Sequence, residues 1–564
     1  MSKTLSDQVV DILAQAGIKR AYGIPGDATN LILASIFQRN DFDFILTRHE
    51  EGAGFMASAH AKLTGEMGVV LACQGPGTAH MLEAMYDAKL DKAPMLVITG
   101  QVESDVIGTH TVQEINQILL FADVAAFNRE VRSANNLISI LQLAIQTVKA
   151  KKIVAHISIA ADVLREPAIK NVLPQSSVYD MPYHVVPDLK LIIKSADILN
   201  QYKNVTILYG AGTLRAKKEL MAVADLLAAP IVHTVRSKDI IDNNNPHYAG
   251  GIGYKGSKNG CHFVKDCDAL LIVGCSFAWK EFYPDNVPII QIDLDPERIG
   301  VRCHVEVGLI GDAKLTLAEL ARHLKQKENK DFLEEAKTAH AKAIEKLHDT
   351  EKMKNAKRIG SPILTDIISR NLKSDAIVTV DAGGVSIWAN NWLQLNGKQR
   401  LIGSAELSTM GFGMPAAIGC QLAMPDRQVV ALCGDGGFHM TMPDFATAVK
   451  YNLPITVIVY NSFSYHLIEL EQLKEGVAQC YTKLSNPDYA KIAEAHGVPG
   501  FTAKTIDEVE PAIRAAFASG KPCIVDVHVD PDELIKPNKI TLSLASHFAM
   551  SMLKTKIAEW SGKE

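Results

Sequence analysis

Asp435 stands in Gly434-Asp435-Gly436-Gly437, and a second polar cluster, Tyr460-Asn461-Ser462, follows it along the chain. Glycines let backbone N–H groups approach an anion closely, and a carboxylate with amide, hydroxyl or carbonyl oxygens suits a hard cation such as Mg²⁺. The chemistry predicted is a diphosphate held through a metal. Each cluster follows an apolar run, Val429-Val430-Ala431-Leu432-Cys433 and Ile455-Thr456-Val457-Ile458-Val459, which reads as a buried parallel strand. Two strands would then deliver both clusters to one sheet edge.

Other constellations have weaker signatures. Arg48-His49-Glu50-Glu51-Gly52 follows a strand over 42–46, so Glu50 projects from a strand's carboxyl end, where open α/β sheets place their sites; ordinary exposed acids occur there too. Gly75-Pro76-Gly77-Thr78-Ala79-His80 is a glycine-rich turn into a helix, with His80 either in a site or capping. Gly251-Ile252-Gly253-Tyr254-Lys255-Gly256 has GxGxxG spacing. The preceding Asn243-Asn244-Asn245-Pro246 reads as a loop with no strand leading in, so this is not taken as a Rossmann fingerprint. Asp293 ends the run Ile289-Ile290-Gln291-Ile292, a place to bind a ribose hydroxyl or to cap a loop.

The elements that must hold these residues read as three α/β units, each a parallel sheet. Strands are expected at 44–46, 68–72, 95–99 and 153–159 in a unit over 1–163, and at 206–209, 230–233, 269–273 and 288–292 in a unit over 188–325. The third unit, 360–535, has them at 376–380, 429–432, 455–459 and 523–527. A proline-containing connector, 166–187, and a lysine- and glutamate-rich run, 325–357, join the units, and 536–564 forms a tail helix. Leu5, Val9, Ile12, Leu13 and Ala16 have helical spacing, with no signal peptide or spanning helix expected. The first and third units are similar enough in kind to be relatives. With 564 residues, 47% hydrophobic content and 21% charge, the chain can bury several cores, and a net charge of -5 gives no reason to expect nucleic acid. Nine cysteines without metal-ligand spacing read as reduced thiols of a cytoplasmic protein.

Arg48-His49-Glu50-Glu51, Gly75-Pro76-Gly77, Ser408-Thr409-Met410-Gly411-Phe412-Gly413 and Gly434-Asp435-Gly436-Gly437 occur in the order seen in thiamine-diphosphate enzymes of the pyruvate oxidase and acetolactate synthase group. The chain resembles that group over nearly its whole length. In the middle unit, Arg236-Ser237-Lys238-Asp239, Phe282-Tyr283-Pro284 and Ile290-Gln291-Ile292-Asp293 look most like the FAD-containing pyruvate oxidases and pyruvate:quinone dehydrogenases. The resemblance implies pyrimidine-binding, FAD-binding and diphosphate-binding domains in that order.

It also implies roles. Glu50 would hydrogen-bond the thiamine pyrimidine, Met410 would wedge the cofactor into its bent form with Ser408 and Thr409 as further cofactor contacts, and Asp435 would ligate Mg²⁺ while Gly436 and Gly437 meet the diphosphate. Relatives place an Asn or Asp where Ser462 falls here, so either Ser462 coordinates or Asn461 shifts into place; the carbonyl of Ser464 is the next ligand. His80, Gln113 and Glu471 match substrate-pocket residues, and Val112 replaces the usual aromatic side chain, leaving room for a 2-oxo acid larger than pyruvate. FAD contacts fall on Ile252, Gly253, Tyr254, Lys255, Cys275, Ser276, Phe277, Ala278, Trp279 and Asp293. The implied reaction is oxidative decarboxylation of pyruvate to CO₂ and acetate or acetyl phosphate, with electrons passing to a quinone or O₂. Acetolactate synthesis with a structural FAD and non-oxidative decarboxylation are the alternatives. A non-catalytic assembly or regulatory protein, for which Ser462 speaks, is a third. The resemblance further implies a homotetramer whose active sites lie between chains. The tail places Ala549, Leu553 or Met552, Lys556 and Trp560 on one helical face, with Ile557 beside them, and the helix either packs on its own subunit or touches the inner face of the membrane through its apolar residues and Lys554.

Overall fold

The fold is that of a computed structural model, which describes residues 3–170, 179, 184–347, 358–533 and 542–561. Its strands form three six-stranded sheets, and every strand pairing within them is parallel. The first holds β1 Arg20–Gly23, β2 Asp43–Leu46, β3 Gly68–Ala72, β4 Met95–Gln101, β5 Phe127–Val131 and β6 Val154–Ala160, in the order β2-β1-β3-β4-β6-β5. The second holds β7 Val205–Tyr209, β8 Ile231–His233, β9 Tyr248–Gly251, β10 Ala269–Val273, β11 Ile289–Asp293 and β12 Val307–Ile310, in the order β12-β11-β10-β7-β8-β9. The third holds β13 Ile377–Val380, β14 Arg400–Gly403, β15 Val429–Gly434, β16 Ile455–Asn461, β17 Gly500–Ala503 and β18 Cys523–His528, in the order β14-β13-β15-β16-β18-β17.

Numbered within its own sheet, each outer unit reads 2-1-3-4-6-5, so the first and third units share one topology. The middle sheet reads 3-2-1-4-5-6, the dinucleotide-binding order, whose switch point lies between β7 and β10. Central strands such as β3, β4, β7 and β10 are buried at every residue because helices cover both faces. Six strands escape the sequence reading, and five of them (β5, β9, β12, β14, β17) are sheet edges, where no long apolar run is required.

β9 corrects one expectation directly, since a strand does lead into Gly251-Ile252-Gly253-Tyr254-Lys255-Gly256 and helix Lys258–Lys265 follows it. It is the edge strand, however, away from the switch point, so the segment is still not a first βα turn. No disulfide joins any of the nine cysteines, all of which lie among the described residues.

The outer units are joined through one apolar core. Helix Glu50–Thr64 crosses helix Gly413–Ala423 so closely that a β-carbon on Gly419 would lie 2.2 Å from the Met56 carbonyl oxygen. Phe55 and Phe412 meet edge to face at 5.6 Å in this shared core, which also takes in Met56, Ile418 and Phe438.

The tail helix Leu542–Trp560 packs on helix His466–Glu475. Lys554 Nζ donates to the Gly476 carbonyl (2.9 Å), Gln479 N to Thr555 Oγ1 (2.9 Å), and His547 Nδ1 meets the Lys474 carbonyl (2.7 Å). The face that packs is thus the one bearing Phe548, Ser551 and Thr555, while Met552, Leu553, Ile557 and Trp560 point outward. Among the described residues no helix is long and apolar enough to cross a membrane. Most of the connector 166–187, the stretch 348–357 and residues 536–541 of the tail fall outside the described residues.

Candidate active site

β15 ends directly in helix Asp435–Thr441, so Asp435 is its first residue and Gly436 and Gly437 offer N–H groups at its start. The Asp435 carboxylate accepts from Gly436 N (3.0 Å) and Asn486 Nδ2 (2.9 Å), and the N–H groups of Phe463 and Ser464 face it. Burial nevertheless outweighs these donors and pushes its carboxyl up to about 6.

Asn461, the last residue of β16, is fully buried. Its amide donates to Asp526 Oδ1 (3.0 Å) and its oxygen accepts from Asn486 Nδ2 (2.9 Å), so both ends are committed within the fold. Ser462 Oγ lies 3.1 Å from the Ser464 carbonyl, to which it donates. The Ser462 hydroxyl would have to give up this hydrogen bond for both oxygens to face a cation.

The loop that carries them is braced. Ser464 Oγ donates to Glu469 Oε2 (3.2 Å), and Glu469 Oε1 accepts from Thr482 Oγ1 (2.9 Å) and pairs with Lys483 Nζ (2.8 Å). Backbone bonds from Tyr465 N to Thr482 O and Leu484 N to Phe463 O, each 2.8 Å, close the same strap. The Ser464 side chain therefore has a holding role that sequence reasoning did not assign. Glu469, Asn486 and Asp381 were missed altogether, because their importance lies in contacts between segments distant in sequence; Asn486 just ahead of the Asp488 helix cap was the one local hint.

The wedge loop faces this site. Met410 Cε lies 3.3 Å from the β-position of Gly436, and Thr409 Oγ1 hydrogen-bonds the Glu83 carboxylate of the first unit. Ser408 sits at φ 55°, and its Oγ accepts from Lys255 Nζ (3.0 Å). Asp381, just past β13, presents its carboxylate to the N–H groups of Gly411, Phe412 and Gly413, and its Oδ2 abuts Gly437, where a β-carbon would be 2.2 Å away. Asp381 thus touches both the wedge loop and the diphosphate turn. Oδ2 has no hydrogen-bond partner among the described residues, and burial pushes the carboxyl up to about 7.

The first unit assembles its own cluster. Glu50 opens helix Glu50–Thr64 behind the cap residue His49, is 8% exposed, and meets His80 Nδ1 through Oε2 at 2.9 Å. Gly77 leaves room beside it, since a β-carbon there would lie 2.9 Å from Glu50 Oε1. Gln113, at φ 64°, accepts from Gln74 Nε2 (3.2 Å) and packs on Gly75, while its neighbour Val112 is 85% exposed. Glu471 lies exposed on helix His466–Glu475. Among the described residues no hydrogen bond or ion pair joins Glu50 to Met410 or Asp435.

At the middle sheet's switch point a cavity of about 160 Å³ is lined by Gly210, Gly274, Lys255 and the run Cys275–Trp279. Gly253 packs on Phe277, and Tyr254 stands edge-on to Trp279 at 5.6 Å, so the two predicted FAD loops come together. Ile252 is buried in the adjoining core, and Asp293 closes β11 with its carboxyl raised by burial. A second cavity, of about 250 Å³, lies between the three units and shares Arg236 and Lys255 with the first.

Three parallel α/β units, two of one topology and one of dinucleotide type, carry a glycine-rich acidic turn opposite a methionine wedge. These features define a thiamine-diphosphate enzyme. The chain belongs to the thiamine pyrophosphate enzymes: their N-terminal TPP-binding, central and C-terminal TPP-binding domain profiles match residues 3–120, 192–320 and 381–527. It is 39% identical, over 98% of its length and 96% of the relative's, to YdaP of Bacillus subtilis, a protein described only provisionally as thiamine pyrophosphate-containing. It is 29% identical to the pyruvate oxidase of Lactiplantibacillus plantarum (96% and 91% covered) and 27% identical to the acetolactate synthase isozyme 2 large subunit of Escherichia coli (94% and 96%).

Proposed function

We propose that this enzyme oxidatively decarboxylates pyruvate, or a slightly larger 2-oxo acid, with thiamine diphosphate, Mg²⁺ and FAD, giving CO₂ and acetate or acetyl phosphate. The observation that carries the redox reading is the dinucleotide-type middle sheet, whose switch-point cavity is lined by Ser408 of the wedge loop as well as by Arg236 and Lys255. Thiamine diphosphate supplies the nucleophilic carbon and electron sink for decarboxylation, and FAD accepts two electrons.

The residues fit these groups. Asp435, Ser462 Oγ and the Ser464 carbonyl form an all-oxygen set suited to Mg²⁺, with Asn461 serving the fold behind them. Gly436 and Gly437, at the start of helix Asp435–Thr441, would offer backbone donors to the diphosphate, and Met410, whose Cε lies 3.3 Å from the Gly436 β-position, would hold the cofactor against them. Glu50, buried and backed by His80, would hydrogen-bond the pyrimidine ring, while Gln113, His80 and Glu471 would orient the substrate carboxylate and carbonyl. Among the described residues no hydrogen bond ties Glu50 to Met410 or Asp435 of its own chain, and we assign it to the site of a second copy in a homotetramer. A quinone or O₂ reoxidises the flavin. The outward apolar face of the tail helix is the surface for peripheral membrane contact, and liposome co-sedimentation after pyruvate reduction tests it, with no pelleting counting against it.

The test is spectroscopic: anaerobic pyruvate added to protein holding all three cofactors should bleach the flavin. Acetolactate synthesis is the second reading, supported by relatives of nearly equal identity. It is favoured if pyruvate yields acetolactate without an acceptor while the flavin stays yellow.

A further inference from the structure

Lys255 belongs to the loop after β9, in the middle unit, yet its ammonium donates to Ser408 Oγ in the third unit at 3.0 Å. Its own carbonyl accepts from Asn391 Nδ2 (3.1 Å), so the residue is fastened to the third unit at both main chain and side chain. Ser408 is a non-glycine residue in the left-handed region (φ 55°), and its Oγ also donates to the Ala405 carbonyl (3.1 Å). Such a conformation persists only where surrounding contacts hold it, and Met410 follows two residues later.

Lys255 also lines both the switch-point cavity and the larger cavity between the units. Burial opposes its charge, while the Asp91 and Glu406 carboxylates support it. A cation is therefore fixed, poorly solvated, at the wall of the dinucleotide cavity and against the thiamine wedge.

We infer that Lys255 links the two cofactor sites: its ammonium raises the reduction potential of a flavin in the cavity, and its bond to Ser408 transmits occupancy of the thiamine site to that flavin. The inference rests on the FAD reading above. Reduction places negative charge on a flavin, which a nearby cation in a low-dielectric wall stabilises. A hydrogen bond made in one arrangement of the wedge loop supplies the coupling between sites.

The test uses FAD-loaded protein, wild type and Lys255→Met, titrated anaerobically with reductant against a reference dye, with and without thiamine diphosphate and Mg²⁺. Thiamine diphosphate with Mg²⁺ should change the flavin spectrum of wild type, and its failure to do so overturns the coupling; the Met variant should show a lower midpoint potential and lose that change. Lys255→Arg should restore the potential. Ser408→Ala, which keeps the charge and removes the bond, should keep the potential and lose the response. A Met variant that binds FAD at the wild-type potential and responds normally overturns the inference while leaving the flavin reading standing. Wild-type protein that takes up no FAD removes both.

Discussion

At the scale of residues, the site rests on a few groups whose surroundings set their chemistry. Glu50→Gln keeps the shape of the buried side chain and removes its acidity, so we expect turnover to fall about 10²–10⁴-fold with the melting temperature unchanged; steady-state kinetics beside a thermal melt checks this. The metal loop gives a second prediction. Ser462→Asn should tighten Mg²⁺-dependent thiamine diphosphate binding by calorimetry, and Asn461→Ala should lower stability more than metal affinity; the reverse pattern would make Asn461 the ligand. Asp381 gives a third. Its carboxyl is raised to about 7, so between roughly pH 4 and 7 the folded state holds a proton that the unfolded state has released, and stability falls as pH rises through that window. Asp381→Asn has no such proton. In apo-protein its melting temperature relative to wild type should therefore be higher at pH 8 than at pH 5, and a constant difference would contradict the assignment. Asp435 and Glu50 were legible in the sequence because short motifs carry them. Asp381, Glu469 and Asn486 were not, since each acts across segments that only the fold brings together.

At the scale of elements, the apolar runs that become central strands were readable because burial on both faces demands uninterrupted Val, Ile and Leu. The edge strands were not, because one open side relaxes that demand, as in β14 (Arg400–Gly403) and β17 (Gly500–Ala503). The identical order of the outer sheets makes the suggested kinship of the first and third units concrete. Their junction also explains Gly419, invisible as a motif but obligatory where two helices cross over the Met56 carbonyl. Gly419→Ala should cost about 1–3 kcal/mol through overpacking, visible as an earlier thermal transition; an unchanged melt would mean the crossing has more slack than the geometry allows.

At the scale of the whole molecule, two units of one topology carry the thiamine-diphosphate domains, and the unit between them has a dinucleotide-type sheet whose cavity reaches the third unit through Lys255. That arrangement is the physical basis for the proposal of an oxidase. It is tested most directly by mixing the protein with thiamine diphosphate, Mg²⁺ and FAD, removing oxygen, adding pyruvate and recording the flavin absorbance. Bleaching should require pyruvate and thiamine diphosphate together and be slowed about 10²–10⁴-fold in Glu50→Gln. A flavin that stays oxidised while pyruvate is consumed would contradict the proposal.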